Sequence, residues 1–177
     1  MKKILLLVFL VLCACSPAPE KENETVQKGA GFFLPIEGET FVVATDSITN
    51  IWKDYIKAHN ERDLEAIMAM NSDSIKIEGP DGRVIKGKEM HKAALSAWFA
   101  AEDPKWTIYW AMPYKAVNGG EEWIIAGHEV KMMVDGKEMT KLQMIDGEIV
   151  NGKVKRFYVY SKDIASKKKE EEAEVTE

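Results

Sequence analysis

The chain has 177 residues, 46% of them hydrophobic and 30% charged, the make-up of an ordinary globular domain with room for one core rather than two. Its formal net charge is −5, and removal of Lys2 and Lys3 with a leader takes it to −7. An acidic chain with no basic cluster outside its tail argues against nucleic acid as the partner.

In chain order, residues 1–14 read as a signal peptide. Lys2-Lys3 give the charged start, and the apolar run 4–11 is too short to span a bilayer as a finished helix. Leu12-Cys13-Ala14-Cys15 resembles the bacterial lipobox, which makes Cys15 the lipidated first residue of the mature chain. Cys13 then leaves and Cys15 carries lipid, so no thiol remains for a disulfide or a metal. Several acyl chains on one residue anchor durably. The expected location is the bacterial cell envelope, extracytoplasmic, on the inner or the outer membrane. Residues 15–40 read as a flexible tether, polar and proline-bearing over 16–29. Phe32-Phe33-Leu34-Pro35 interrupts it, expected as a short extended arm packed on the domain, with a partner-binding patch as the sharper alternative.

The domain itself is expected over residues 41–163. Phe41-Val42-Val43 leads in. Ile48, Ile51, Trp52, Tyr55, Ile56 and His59 share one helical stripe, with Asp46 or Ser47 as cap and an end near Asn60. Asp63 caps a short second helix, residues 74–78 alternate as a strand, and Gly79-Pro80-Asp81-Gly82 turns it. A third helix runs from Lys88 to about Ala101, with Met90, Ala94, Ala97, Trp98 and Ala101 as its buried stripe. It stops before Pro104. From Lys105 the period becomes two: Trp106, Ile108, Trp110 and Met112 on one face of a long strand, then strands over 123–134, from Lys137 to Ile145 or beyond, and over 153–160. Residues 164–177 read as a charged, disordered tail.

This order resembles the nuclear transport factor 2-like superfamily and, within it, the SnoaL-like proteins. Tyr55, the Asn60-Glu61-Arg62-Asp63-Leu64 corner, the run from Ile75 to Pro80, Gly87-Lys88-Glu89 and the closing residues 151–160 carry the resemblance, which covers roughly residues 45–162. It implies an α+β fold: a curved antiparallel sheet wrapped around an N-terminal helix and two shorter helices, a cone with an internal pocket.

In strand 123–134, inward Ile124, Ala126, Val130 and Met132 bring His128 inward too. If Leu142 and Met144 face inward on the next strand, so do Asp146 and Glu148. Tyr55, His128 and Asp146 are thus the expected catalytic group, and Trp52, Trp110, Met132 and Met144 the expected ligand-binding lining. The resemblance implies two chemistries. One is that of ketosteroid isomerases, with Tyr55 and Asp146 as oxyanion donors; Gly79 stands where their general base would be, so that activity lacks its agent. The other is dehydratase- or cyclase-like, with His128 as base oriented by Asp146. No cofactor is expected, and His59, His91 and His128 lack metal-ligand spacing. The main reading is a membrane-anchored binding domain for a small apolar ligand or partner protein. A cofactor-free lyase or isomerase is the alternative, and a scaffold with a filled cone the third. Trp123, Ile125 and Met133 are left for the outer sheet face, where a homodimer would form.

Overall fold

The computed structural model describes residues 28–164; the leader, Cys15, the tether up to residue 27 and the tail beyond Ile164 lie outside the described residues. The elements are β1 (Phe41–Val43), α1 (Asp46–Glu61), α2 (Leu64–Met70), β2 (Asn71–Glu78), β3 (Val84–Lys86), α3 (Lys88–Glu102), β4 (Lys105–Ala116), β5 (Glu122–Val134), β6 (Lys137–Val150) and β7 (Lys153–Asp163). They form one seven-stranded sheet in the order β1-β4-β5-β6-β7-β2-β3. The long hairpins β4–β7 are antiparallel, but β7 returns beside β2 in parallel, so the sheet is mixed rather than wholly antiparallel. The α+β cone expected from the sequence is present, with α3 (15 residues) nearly as long as α1 (16 residues).

The first helix buries Ile48, Trp52, Tyr55, Ile56 and His59 against the inner sheet face. It starts at Thr45 without a side-chain cap and ends on Arg62, whose φ of 64° sets the left-handed turn expected at Asn60. Asp63 caps α2 by accepting from the Ala66 N–H at 2.8 Å. Gly147 seats the core: a Cβ there would stand 3.3 Å from Ile124 Cγ2 and 3.5 Å from both the Phe157 Cβ and the Trp52 ring. The bare backbone lets the indole of α1 lie directly on the sheet.

Helix α3 departs from the sequence expectation. It buries His91 and Leu95, while Met90 is exposed; the stripe is shifted by one position because the polar ring of His91, not the flexible Met90, finds partners inside.

The arm ahead of β1 is built rather than loose. Ala30 and Phe41 exchange both backbone hydrogen bonds, at 2.9 and 2.8 Å. The buried carboxylate of Glu39 accepts from the backbone N–H groups of Thr40 (3.0 Å), Asn118 (3.0 Å) and Gly119 (2.9 Å), pinning the arm to the β4–β5 turn. These three bonds hold the Glu39 carboxyl below its ordinary range, that of Asn118 foremost.

Candidate functional site

One extra residue decides which side chains face the cone. Register between β4 and β5 runs Ile108↔His128, then Trp110↔Gly127, so Tyr109 is a bulge. Trp106 and Ile108 face inward; beyond the bulge Trp110 and Met112 fall on the outer face instead. This corrects the expected single-faced strand, and with it Trp110 as a lining of the cone. The same alternation settles β6. Gln143 pairs with inward His128 and Ile145 with inward Ala126, whereas Met144 pairs with Gly127 and Asp146 with Ile125. Asp146, Glu148, Leu142 and Met144 therefore lie outside, the opposite of the expectation, because Gln143, Ile145 and Gly147 are the residues of β6 that stand opposite the inward positions of β5.

Tyr55, His128 and Asp146 do not converge. His128 is fully buried inside, where its Nε2 accepts from the Trp52 indole N–H at 3.0 Å. Indole N–H can only donate, so the neutral ring carries its proton on Nδ1; among the described residues that N–H makes no well-formed hydrogen bond. Burial, only partly offset by the backbone of Gln143 and Ala126, lowers the His128 pKa to about 4. Tyr55 donates to Asn71 Oδ1 at 2.8 Å, and Asn71 Nδ2 donates to His91 Nδ1 at 2.9 Å. Burial pushes the Tyr55 phenol far up and the His91 ring down to about 3. His59 donates from Nδ1 to the Tyr55 carbonyl at 2.7 Å, and burial lowers it to about 4. Around these groups, Trp52, Tyr55, His59, Phe99, Trp106 and Phe157 pack edge to face. Met132 is buried opposite Met139. Among the described residues, the inner face is packed with the protein's own side chains.

Asp146 belongs to a second constellation, on the outer face. Tyr114 donates to its Oδ1 at 2.7 Å. Burial raises the pKa of both groups; the hydrogen bond works against the rise on Asp146 and adds to it on Tyr114. Trp123 stacks on Tyr114, with an interplanar angle of 18°, and the Arg156 guanidinium lies over the Trp123 ring at 5.3 Å. Arg156 and Lys155 also meet the buried Glu148 carboxylate, at 2.5 and 3.2 Å. Beside this cluster lies a shallow depression of about 330 Å³ floored by Gly127 and walled by Trp110, Leu142, Met144 and Tyr160. Trp110 is 45% exposed there. The Tyr114–Asp146 pair, Asn71, His91 and Glu39 had no signal in the sequence: each acquires its role from a partner at least 20 residues away. Among the described residues no group of three His, Cys, Asp or Glu side chains is placed to hold a metal ion, and no helix is long and apolar enough to cross a membrane.

No protein-family model matches the chain, and no curated protein matches it significantly. Solved structures do. An LEH-like epoxide hydrolase from M. tuberculosis superposes with a TM-score of 0.57 at 12% identity, covering 67% of this chain and 84% of that one. RV0760c from Mycobacterium tuberculosis, solved with estradiol-17β-hemisuccinate, gives 0.54 at 18% identity, covering 64% and 92%. The epoxide hydrolase/cyclase-like enzyme SalBIII, described for pyran ring formation in the polyether salinomycin, gives 0.58 at 15% identity, covering 66% and 92%. At these identities the likeness is one of fold.

Proposed function

Starting from a nuclear transport factor 2-like fold, we propose that this chain is a binding domain, held to the outside of a bacterial membrane by lipid on Cys15, that presents its outer sheet face to a small apolar ligand or a partner protein. The observation that carries the reading is the division of polar and apolar groups by the sheet. The cone is filled by Trp52, Tyr55, His59 and Phe157, while open apolar ground lies outside, over Gly127 between Trp110, Met144 and Tyr160. Exposed aromatic and methionine side chains gathered in one patch mark contact surfaces. The packed interior supports the third reading, a scaffold with a filled cone, for the cone alone; the proposed working surface is on the sheet's other side.

Native mass spectrometry of the mature chain tests this. A co-purified small molecule or a dimer, weakened at least several-fold by Trp110→Ala and Met144→Ala but not by His128→Ala, is the expected result. A ligand lost only with His128→Ala would move the site back into the cone.

The lyase or isomerase alternative has one observation in its favour: among the described residues the buried Nδ1–H of His128 makes no well-formed hydrogen bond, as a group awaiting a substrate oxygen would. Epoxide hydrolase and cyclase-like enzymes share the fold. Turnover of a captured ligand, abolished by His128→Ala and by Tyr55→Phe, would favour it. Turnover surviving His128→Ala, Tyr55→Phe and Asp146→Asn discards the assignment of those residues.

A further inference from the structure

The arm ahead of β1 is both rigid and open. Its tip, Phe32-Phe33-Leu34-Pro35-Ile36, carries no charge, and no charged residue stands between Lys28 and Glu37. Phe32 is 75% and Leu34 87% exposed. Two consecutive turns shape it: the Ile36 N–H donates to the Phe33 carbonyl at 2.9 Å, and the Glu39 N–H to the Ile36 carbonyl at 3.2 Å. Gly38 supplies the positive φ, 75°, of the second turn. The Ala30–Phe41 backbone pair, the edge of Phe33 on Phe41 and the Glu39 clamp fix its base. The arm was expected to pack its apolar residues on the domain; instead the fold holds their backbone and leaves Phe32 and Leu34 outward.

Residues 16–27 are all that separates Cys15 from the described arm, and even fully extended that length reaches no more than about 45 Å. The tip is therefore the first part of the domain met along the chain from the anchor. We propose that it inserts into the boundary between headgroups and acyl chains of the bilayer, fixing the anchored domain with its β1 edge toward the membrane and its β2–β3 turn away. The sheet order places these at opposite edges. The chain is acidic and Glu37 flanks the tip, so insertion is driven by apolar side chains rather than by attraction to anionic headgroups. Proximity to the bilayer rests on the lipidation reading of Cys15; insertion of the tip does not.

The test uses the mature chain coupled through the Cys15 thiol to a maleimide phospholipid in phosphatidylcholine vesicles with brominated acyl chains. Chemical coupling supplies the anchor whether or not a cell acylates that residue, so failure of the lipidation reading and failure of insertion are told apart. Leu34→Trp is compared with Arg83→Trp, at the far edge, above the emission of the native tryptophans. Emission added at position 34 shifts to the blue and loses most of its intensity, while that added at 83 keeps it. Water-like emission at both positions overturns the proposal, and so does quenching at both, which would mean a domain lying on the membrane without a preferred edge. Because tryptophan itself favours the interface, amide exchange of the unsubstituted coupled chain gives a second reading. Exchange over 31–37 slows several-fold on the vesicle, and Phe32→Ser with Leu34→Ser removes that slowing; unchanged exchange overturns the proposal.

Discussion

Trp52 on α1 donates its indole N–H to Nε2 of His128 on β5 across 3.0 Å, a tie between helix and sheet inside the filled cone. It fixes the tautomer of a ring whose other nitrogen makes no well-formed hydrogen bond among the described residues. Nitrogen-15 spectra of the imidazole at neutral pH are expected to report Nδ1-protonated His128. Trp52→Phe keeps most of the ring contact with Phe157 but leaves the imidazole Nε2 unpaired. Loss of a buried hydrogen bond of this kind costs about 1–3 kcal/mol, read as a lower urea midpoint with an unchanged slope.

Acid should weaken the fold through its three buried histidines. Each is held neutral, with the folded pKa lowered by burial to about 4 for His59 and His128 and about 3 for His91. In the unfolded chain such a ring takes up its proton near pH 6.5. Below that pH the unfolded state binds more protons than the folded one, so their contribution is complete above it and erodes as pH falls toward 4 and then 3. A single ring shifted to about 4 is worth on the order of 3 kcal/mol over that span. Glu39, also lowered, adds loss in the same direction at lower pH, whereas Asp146, raised by burial, acts in the opposite sense. Urea unfolding at a series of pH values should show stability falling steadily below pH 6.5. A flat profile down to pH 4.5 would contradict the buried, neutral state of these rings.

Glu39→Ala should free the arm without unfolding the domain. The carboxylate is the partner of the Asn118 and Gly119 N–H groups, and the Ala30–Phe41 pair stands next to it. Faster amide exchange at Ala30, Phe41, Asn118 and Gly119, with the core amides of β5 and β6 unchanged, is the expected pattern.

Gly127→Ala probes the outer depression. A Cβ at Gly127 would stand 2.2 Å from Trp110 Nε1, so the half-exposed indole must swing off the sheet. Displacing a packed side chain this way costs about 1–3 kcal/mol. The emission of Trp110, assigned by difference from Trp110→Phe, should shift to the red, and binding at the outer face should fall with it. Gly127→Ala with unaltered emission would mean that Trp110 does not rest on that backbone.

The architecture was legible in the sequence because it depends on local pattern: the stripe Ile48–His59 dictates a one-sided helix, Asp63 a cap, Gly79-Pro80-Asp81-Gly82 a turn, and the alternation through β5 puts His128 inside. The site was not. A strand's period gives two faces without saying which is inner, and a single extra residue reverses them; the bulge at Tyr109 and the register of β6 leave no mark in the composition of either strand. Asp146 and Trp110 went to the outer face for that reason alone. Which polar groups meet, Tyr55 with Asn71 and His91, or Tyr114 with Asp146, is likewise fixed only when distant segments are brought together, because a hydrogen bond depends on distance and direction that one-dimensional spacing does not contain.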